Sequence, residues 1–326
     1  MRSSVKILVF AVFILFVLAV GNTVFTNIED AVTLNSSNPS SSVVYVESGV
    51  SGAVAIKDPT TNQTVNMNVE YFLTAGSGVI VTSNGYVITA FHVIGDPQTL
   101  ENQQRLKLMS NDDLNHYVEQ AAVTEYLSKY NPQLGQQLNS SGNLQGYSDL
   151  TDFFVQNNLI SVNSAKQVIR VKLPSKKILN NYLDAQLIDT GNPDNEEDVA
   201  LLKVNYPTSL PALSINSNNP AIGKHVRIFG YPAVTSFNLA SSSGSVVNRV
   251  VNSGGIVYYE ANAPTTNGYS GGPALDNANR VLGIVIYGIQ SRGHFSSGTN
   301  TNYSLFLSSD YLIQICKKNG VPINIY

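Results

Sequence analysis

One serine stands among three glycines in Gly268-Tyr269-Ser270-Gly271-Gly272-Pro273. Such a hexapeptide suits a nucleophile. The backbone must turn tightly to push Oγ into a cleft, and nearby N–H groups must be free to meet a developing oxyanion. Glycine permits both, because it tolerates unusual φ/ψ and leaves room for substrate. The plainer reading is a Gly-rich turn between strands. A serine hydroxyl needs a base to become nucleophilic at neutral pH. His92, in Thr89-Ala90-Phe91-His92-Val93, follows a β-rich run and so offers an imidazole at the end of a strand. Asp198 opens the apolar run Val199-Ala200-Leu201-Leu202. A carboxylate there needs a partner. Beside a histidine it holds one tautomer and stabilises the imidazolium formed on proton transfer. Glu196 and Glu197 precede it, but Asp198 is the acid that abuts the apolar run.

The same glycines also spell G-x-S-x-G, the turn of a strand–nucleophile–helix elbow. That arrangement needs a helix after the serine and the order serine, acid, histidine. Pro273 and the glycine pair disfavour the helix, and His294 is the one histidine downstream. The elbow is therefore rejected. His116, in a helical pattern, and His225, at a strand start, read as structural. His294 lies in a Gly/Ser-rich loop. Cys316 is the single cysteine, so the fold has no internal disulfide, and it reads as a small buried apolar residue.

The elements that must position these groups are mostly strands. Val43–Val46, Val54–Ile56 and Val65–Leu73 are β-branched and aromatic. Gly78–Thr82 and Tyr86–Thr89 flank Asn84-Gly85, a strong hairpin signal. From residue 97 to 163 the apolar spacing shifts to three and four, which predicts two or three amphipathic helices, one capped by Asn111 or Asp112, with a loop over Gly142–Gly146. Strands return at Val168–Leu173, Asp184–Ile188, Val199–Val204, Val226–Phe229, Ser245–Val251, Ile256–Glu260, Val281–Tyr287 and Asn302–Leu307. A helix follows at Ser309–Asn319. Short strands with frequent turns point to a mainly β barrel or sandwich.

The chain has 326 residues, 43% of them hydrophobic, a net charge of −3 and only 13% charged residues. A real core can form, but no basic field exists to hold nucleic acid. Residues 1–21 differ from the rest. Arg2 and Lys6 precede an apolar run from Ile7 to Val20, with Ala19-Val20-Gly21 as a small-x-small site. This reads as a signal peptide or, uncleaved, as an N-terminal membrane anchor, and either predicts an extracytoplasmic chain, secreted or anchored. Residues 22–42 read as a linker. Asn35, Asn62, Asn139 and Asn302 begin N-x-[ST] sequons, expected glycan acceptors in an exported glycoprotein.

The order His92, Asp198, Ser270, carried by T-A-F-H-V, D-V-A-L-L-K-V and G-Y-S-G-G-P, resembles the trypsin/chymotrypsin-like serine peptidases. Gly76-Ser77-Gly78 and Asn84-Gly85-Tyr86 resemble most the HtrA/Deg branch of that family, without a PDZ domain after Cys316. The resemblance implies a double β-barrel: a first barrel over 43–208 with the helical insertion 97–163, then a second barrel and C-terminal helix over 209–326. It implies an endopeptidase working through an acyl-enzyme on polypeptide substrates, with no metal or cofactor. It implies oxyanion donors at the Gly268 and Ser270 N–H groups, each worth about 2.7–4 kcal/mol in the transition state. It implies substrate contacts at Ile286, Tyr287 and Gly288, and a pocket base at Pro264. No acid stands there, which predicts a small or apolar side chain before the cut. Phe91 and Tyr269 are bulkier than the family's usual residues and are expected to reshape the cleft. Together with the insertion they motivate the alternative, a catalytically silent surface binding or adhesion protein on the same fold. No oligomeric state follows from the sequence.

Overall fold

The computed structural model describes residues 26–27, 38–101, 106–140, 144–174, 182–291, 294–295 and 302–326. The candidate leader 1–21, most of the linker and Asn35 lie outside the described residues. Among the described residues no helix is long and apolar enough to cross a membrane.

Fourteen strands and five helices are described. The strands are β1 (Thr26–Asn27), β2 (Val43–Lys57), β3 (Thr64–Ile80), β4 (Tyr86–Thr89), β5 (Ile160–Lys172), β6 (Tyr182–Thr190) and β7 (Ala200–Val204), followed by β8 (His225–Gly230), β9 (Ala240–Val251), β10 (Val257–Ala261), β11 (Pro273–Leu275), β12 (Val281–Ser291), β13 (His294–Phe295) and β14 (Tyr303–Ser308). The helices are α1 (Pro97–Glu101), α2 (Asn111–Tyr130), α3 (Pro132–Ser140), α4 (Leu144–Gln156) and α5 (Ser309–Lys318). β2-β3-β4-β7-β6-β5 close one six-stranded barrel. β8-β9-β10-β14-β12-β11 close a second through the β11–β8 and β8–β9 pairings, with β1 on β9 and β13 on β12. The fold is mainly β and double-barrelled, as the resemblance implies.

Two compact units emerge. Where described, one takes 48–73 and 96–168, the other 19–47, 74–95 and 169–326. In the first, α2 buries Tyr117, Val118, Ala121, Ala122, Tyr126 and Leu127. These share one helix face and pack with Val50, Val54, Ile56 and Phe154. The cap of α2 is Ser110, not Asn111 or Asp112. Its Oγ accepts from Asp113 N at 3.2 Å, while Asp113 Oδ2 accepts from Ser110 N at 2.8 Å. Only Ser110 has a reciprocating acid three residues on, which satisfies two helix-end donors at once. Among the described residues the helical stretch has four helices rather than two or three, the last ending at Gln156. Gly146 falls inside α4 instead of a loop.

In the second unit the core gathers Val226, Ile228, Val246, Tyr259, Ala261, Leu282, Val285 and Phe306 from the second barrel's strands. The Asn84-Gly85 hairpin forms, with Gly85 at φ +97°, a region open to glycine. Thr82 Oγ1 accepts from Tyr86 N at 3.0 Å and secures it. Residues 39–42, read as the end of a linker, instead make a 3₁₀ turn with Ser40–Ser42 buried, because Asn38 Oδ1 accepts from Ser40 N at 3.1 Å. The runs 43–46 and 54–56, read as separate strands, belong to the single strand β2.

Candidate active site

His92 and Asp198 meet through strand register. β4 and β7 are antiparallel, with Thr89 opposite Ala200. Three residues past Thr89 and two before Ala200 therefore emerge at the same end of the ladder. His92 sits in a short 3₁₀ turn, Phe91–Val93, and Asp198 is 2% exposed. Asp198 grips His92 at two points. Oδ1 accepts from the His92 backbone N–H at 2.9 Å, and Oδ2 lies 2.6 Å from Nδ1. An ionised carboxylate only accepts, so Nδ1 carries the proton and Nε2 is left as the basic nitrogen.

Two further residues fix the Asp198 loop. The Tyr258 hydroxyl donates to the Glu196 carbonyl at 2.7 Å. Burial, and after it the charge of Asp198 nearby, push this phenol up from its ordinary value, so it remains a donor. Asn252 Nδ2 donates to Glu196 Oε2 at 2.8 Å. Tyr287 stacks on the imidazole, its ring 5.7 Å from that of His92 and 9° from parallel.

Ser270 is held by backbone. The segment after β10 turns sharply, with Tyr269 N donating to Thr266 O at 3.1 Å and Gly272 N to Tyr269 O at 2.8 Å. Gly268 and Gly271 have φ of +101° and +82°. A side chain at Gly268 would collide with the Tyr231 carbonyl, and one at Gly271 with the Ser77 carbonyl. The glycines flanking the serine are therefore required by the turn. Ser77 is the clamp. Its N–H donates to Ser270 O at 2.7 Å, its Oγ donates to Gly268 O at 2.6 Å, and the same Oγ accepts from Tyr231 N at 2.9 Å. Among the described residues the N–H groups of Gly268 and Ser270 donate to no acceptor. That leaves two free donors beside one hydroxyl.

The hydroxyl of Ser270 donates to the Ile286 carbonyl at 3.2 Å and makes no hydrogen bond to His92. The structure thus joins histidine to acid but holds the serine on a third group. Ile286 is the extra residue of a bulge in β12, where Val285 pairs with Phe306 and Tyr287 with Leu305. β11 pairs with β12 no further than Ile284, and β13 pairs with β12 only from Ile289 onward. Among the described residues, the edge of Ile286–Gly288 that faces away from β14 carries no strand. Such an edge accepts an extended peptide by backbone hydrogen bonding. Ile286 is buried and Tyr287 half-exposed, while Pro264 is half-buried.

Phe91 and Tyr269 do not reshape the cleft. Phe91 is 1% exposed, and Tyr269 is fully buried among the second barrel's core side chains. Each neighbours a site residue in sequence but leaves the backbone on the apolar side. This removes the steric reason for a blocked site. The roles of Ser77 and Tyr258 are not readable from residue type. The one signal was the Gly76-Ser77-Gly78 run. His116 bonds to Gln120 Nε2 and His225 to Asn277 Oδ1. The side chain of His294 lies outside the described residues. Pro273 opens strand β11, not a helix.

No curated protein matches the chain. The model of one protein family does match, over residues 76–284, a stretch that contains His92, Asp198 and Ser270, and the chain belongs to that family, the trypsin-like peptidase domain.

Proposed function

We propose that the protein is a serine endopeptidase in which Ser270 is the nucleophile, His92 the general base and Asp198 the group that orients His92. What carries the reading is the buried two-point grip of Asp198 on His92, with Ser270 on the adjoining turn beside two free N–H donors. A substrate strand adds to the open edge at Ile286–Gly288. Its backbone N–H competes for the Ile286 carbonyl and releases the Ser270 hydroxyl, which turns toward His92 Nε2. Ser270 Oγ attacks the peptide carbonyl carbon as its proton passes to Nε2. The carbonyl oxygen becomes an oxyanion bonded by the Gly268 and Ser270 N–H groups. His92, now an imidazolium beside the Asp198 carboxylate, returns the proton to the leaving amine. Water then hydrolyses the acyl-enzyme by the same transfers in reverse order. All three roles fall on the protein's own side chains.

Within the family the HtrA/Deg branch is the reading we favour, from Gly76-Ser77-Gly78 and the following hairpin. The basic and apolar character of residues 1–21 supports an extracytoplasmic site of action, secreted or anchored, on extracytoplasmic proteins. The sequon residues Asn62 and Asn302 are exposed, as a glycan acceptor must be. A fluorophosphonate probe tests the core of the proposal. Labelling of folded protein that disappears in Ser270→Ala is expected. Folded wild type that neither labels nor cleaves any member of a peptide library rules out the peptidase reading and favours a binding role. N-terminal sequencing of exported material decides cleavage after Gly21.

A further inference from the structure

Three Asn-Gly pairs occur in the sequence: Asn84-Gly85, Asn267-Gly268 and Asn319-Gly320. In such a pair the glycine nitrogen can attack the asparagine carboxamide carbon, because glycine has no side chain to shield it. Attack needs two freedoms, a carboxamide able to swing and a backbone N–H not engaged as a donor. Two of the pairs have neither. Asn84 Oδ1 accepts from Thr82 Oγ1 at 2.7 Å, and Gly85 N donates to Thr82 O at 3.1 Å. Asn319 Nδ2 donates to Asp189 Oδ2 at 2.7 Å and to Ile315 O at 2.8 Å, and Gly320 N donates to Lys317 O at 3.1 Å. Asn267 differs on both counts. Its side chain is exposed and makes no hydrogen bond among the described residues, and the Gly268 N–H is one of the two free donors beside Ser270. Among the described residues the tether on the peptide joining them is the Asn267 carbonyl, which accepts from Ala233 N at 2.9 Å. Opening that bond lets the peptide plane turn its nitrogen toward the side chain. The reacting groups are covalent neighbours, so no cavity has to bring them together.

We propose that Asn267-Gly268 is a site of spontaneous deamidation that inactivates the protein, because the nitrogen that reacts is the one that donates to the oxyanion. The modification rests on the turn alone, and its effect on activity rests on the peptidase reading. The Gly268 nitrogen gives up its proton to solvent base and bonds to Asn267 Cγ. The Cγ–Nδ2 bond breaks, and Nδ2 takes a proton from solvent and leaves as ammonia. The product is a five-membered succinimide whose ring nitrogen, that of Gly268, carries no hydrogen. Water then opens either carbonyl–nitrogen bond, its hydroxyl going to carbon and its hydrogen to nitrogen. Opening at Cγ gives aspartate at position 267. Opening at the main-chain carbonyl gives isoaspartate, in which the backbone runs through the former side chain and is one carbon longer. The exposure of Asn267 admits the water, and the steps need no oxidant or cofactor. Every product damages the oxyanion site. The succinimide has lost the donor, isoaspartate displaces it, and aspartate puts a negative charge one residue from it, where the oxyanion develops. Loss of one such donor lowers kcat by about 10²–10³.

The test incubates the folded full chain at pH 8 and follows two readouts. Peptide mapping by mass spectrometry gives amide-to-acid conversion at the three pairs, and fluorophosphonate labelling of the intact chain gives the competent fraction. Position 267 should convert tenfold or more faster than positions 84 and 319, and this ranking should vanish in protein kept unfolded in denaturant. Labelling should fall in step with conversion at 267. Asn267→Gln, whose longer side chain closes a six-membered ring far more slowly, should keep its starting label over the same period. Asn267→Ser, which has no carboxamide, replaces it should the glutamine variant not fold by circular dichroism. Conversion at 267 no faster than at 84 and 319 overturns the proposal. So does labelling that persists while position 267 converts, or that decays equally in the substituted chain. Folded wild type that never labels fails the peptidase reading separately, and the mapping then decides the modification by itself.

Discussion

Removing one hydroxyl, that of Ser77, should loosen the nucleophile turn without touching any residue of the proposed triad. Ser77 is fully buried, and its Oγ both donates to Gly268 O and accepts from Tyr231 N. Ser77→Ala keeps the backbone bond from Ser77 N to Ser270 O but leaves a buried carbonyl and a buried N–H without partners. Each such orphan costs about 1–3 kcal/mol. The two share one network and do not add fully, so a total of about 2–4 kcal/mol is expected. The Gly268 carbonyl belongs to the residue whose own N–H is one of the two free donors. Freed from Ser77, that residue samples orientations that aim the N–H elsewhere, forfeiting part of the roughly 10²–10³ that one oxyanion donor supplies. Urea denaturation should therefore show the stability loss, and fluorophosphonate labelling should slow about 10- to 100-fold. A variant within about 0.5 kcal/mol of wild type that labels at the wild-type rate would refute the clamp, since surface-like substitutions behave that way.

Asp198→Asn should keep the fold but present His92 in the wrong tautomer, lowering the acylation rate about 10⁴-fold by stopped-flow with an ester substrate. Asp276 carries a linkage prediction. Burial raises its carboxyl, but the backbone N–H groups of Arg280 and Ala278 and the Arg280 guanidinium at 2.8 Å outweigh this and hold it below the ordinary value of 3.8. A carboxyl lowered by folding contributes stability above its unfolded value and loses it as pH falls through its folded one. Asp276→Asn should therefore destabilise clearly at pH 6 and progressively less below about pH 3.8, and an equal loss at both ends would contradict the ion pairing. Cys316 is fully buried, and burial pushes its thiol up to about 12. It should resist a disulfide reagent at pH 8 until denaturant is added, and immediate reaction of native protein would show the thiol to be exposed.

Legibility in the sequence follows the range of the interaction concerned. The Asn84-Gly85 hairpin and the buried strand Ala200–Val204 are near-neighbour effects, fixed by φ > 0 at glycine and by apolar side chains in sequence. The fusion of 43–46 and 54–56 into β2 was not legible, because the polar residues between them continue the strand rather than turn. Phe91 and Tyr269 were misplaced for a related reason. Residue type says that a large ring must go somewhere, but only the finished turn decides whether it leaves toward the cleft or the core.

The chain alone determined the chemical kit: an imidazole after a hairpin, a carboxylate at the head of an apolar strand and a serine among glycines. Tertiary structure alone decided what each group touches. Ser77 lies 193 positions before Ser270. The hydroxyl of Ser270 rests on Ile286 because a bulge turns that carbonyl out of its ladder. Partners so distant along the chain are selected by strand pairing and close packing, which no local pattern of residues encodes.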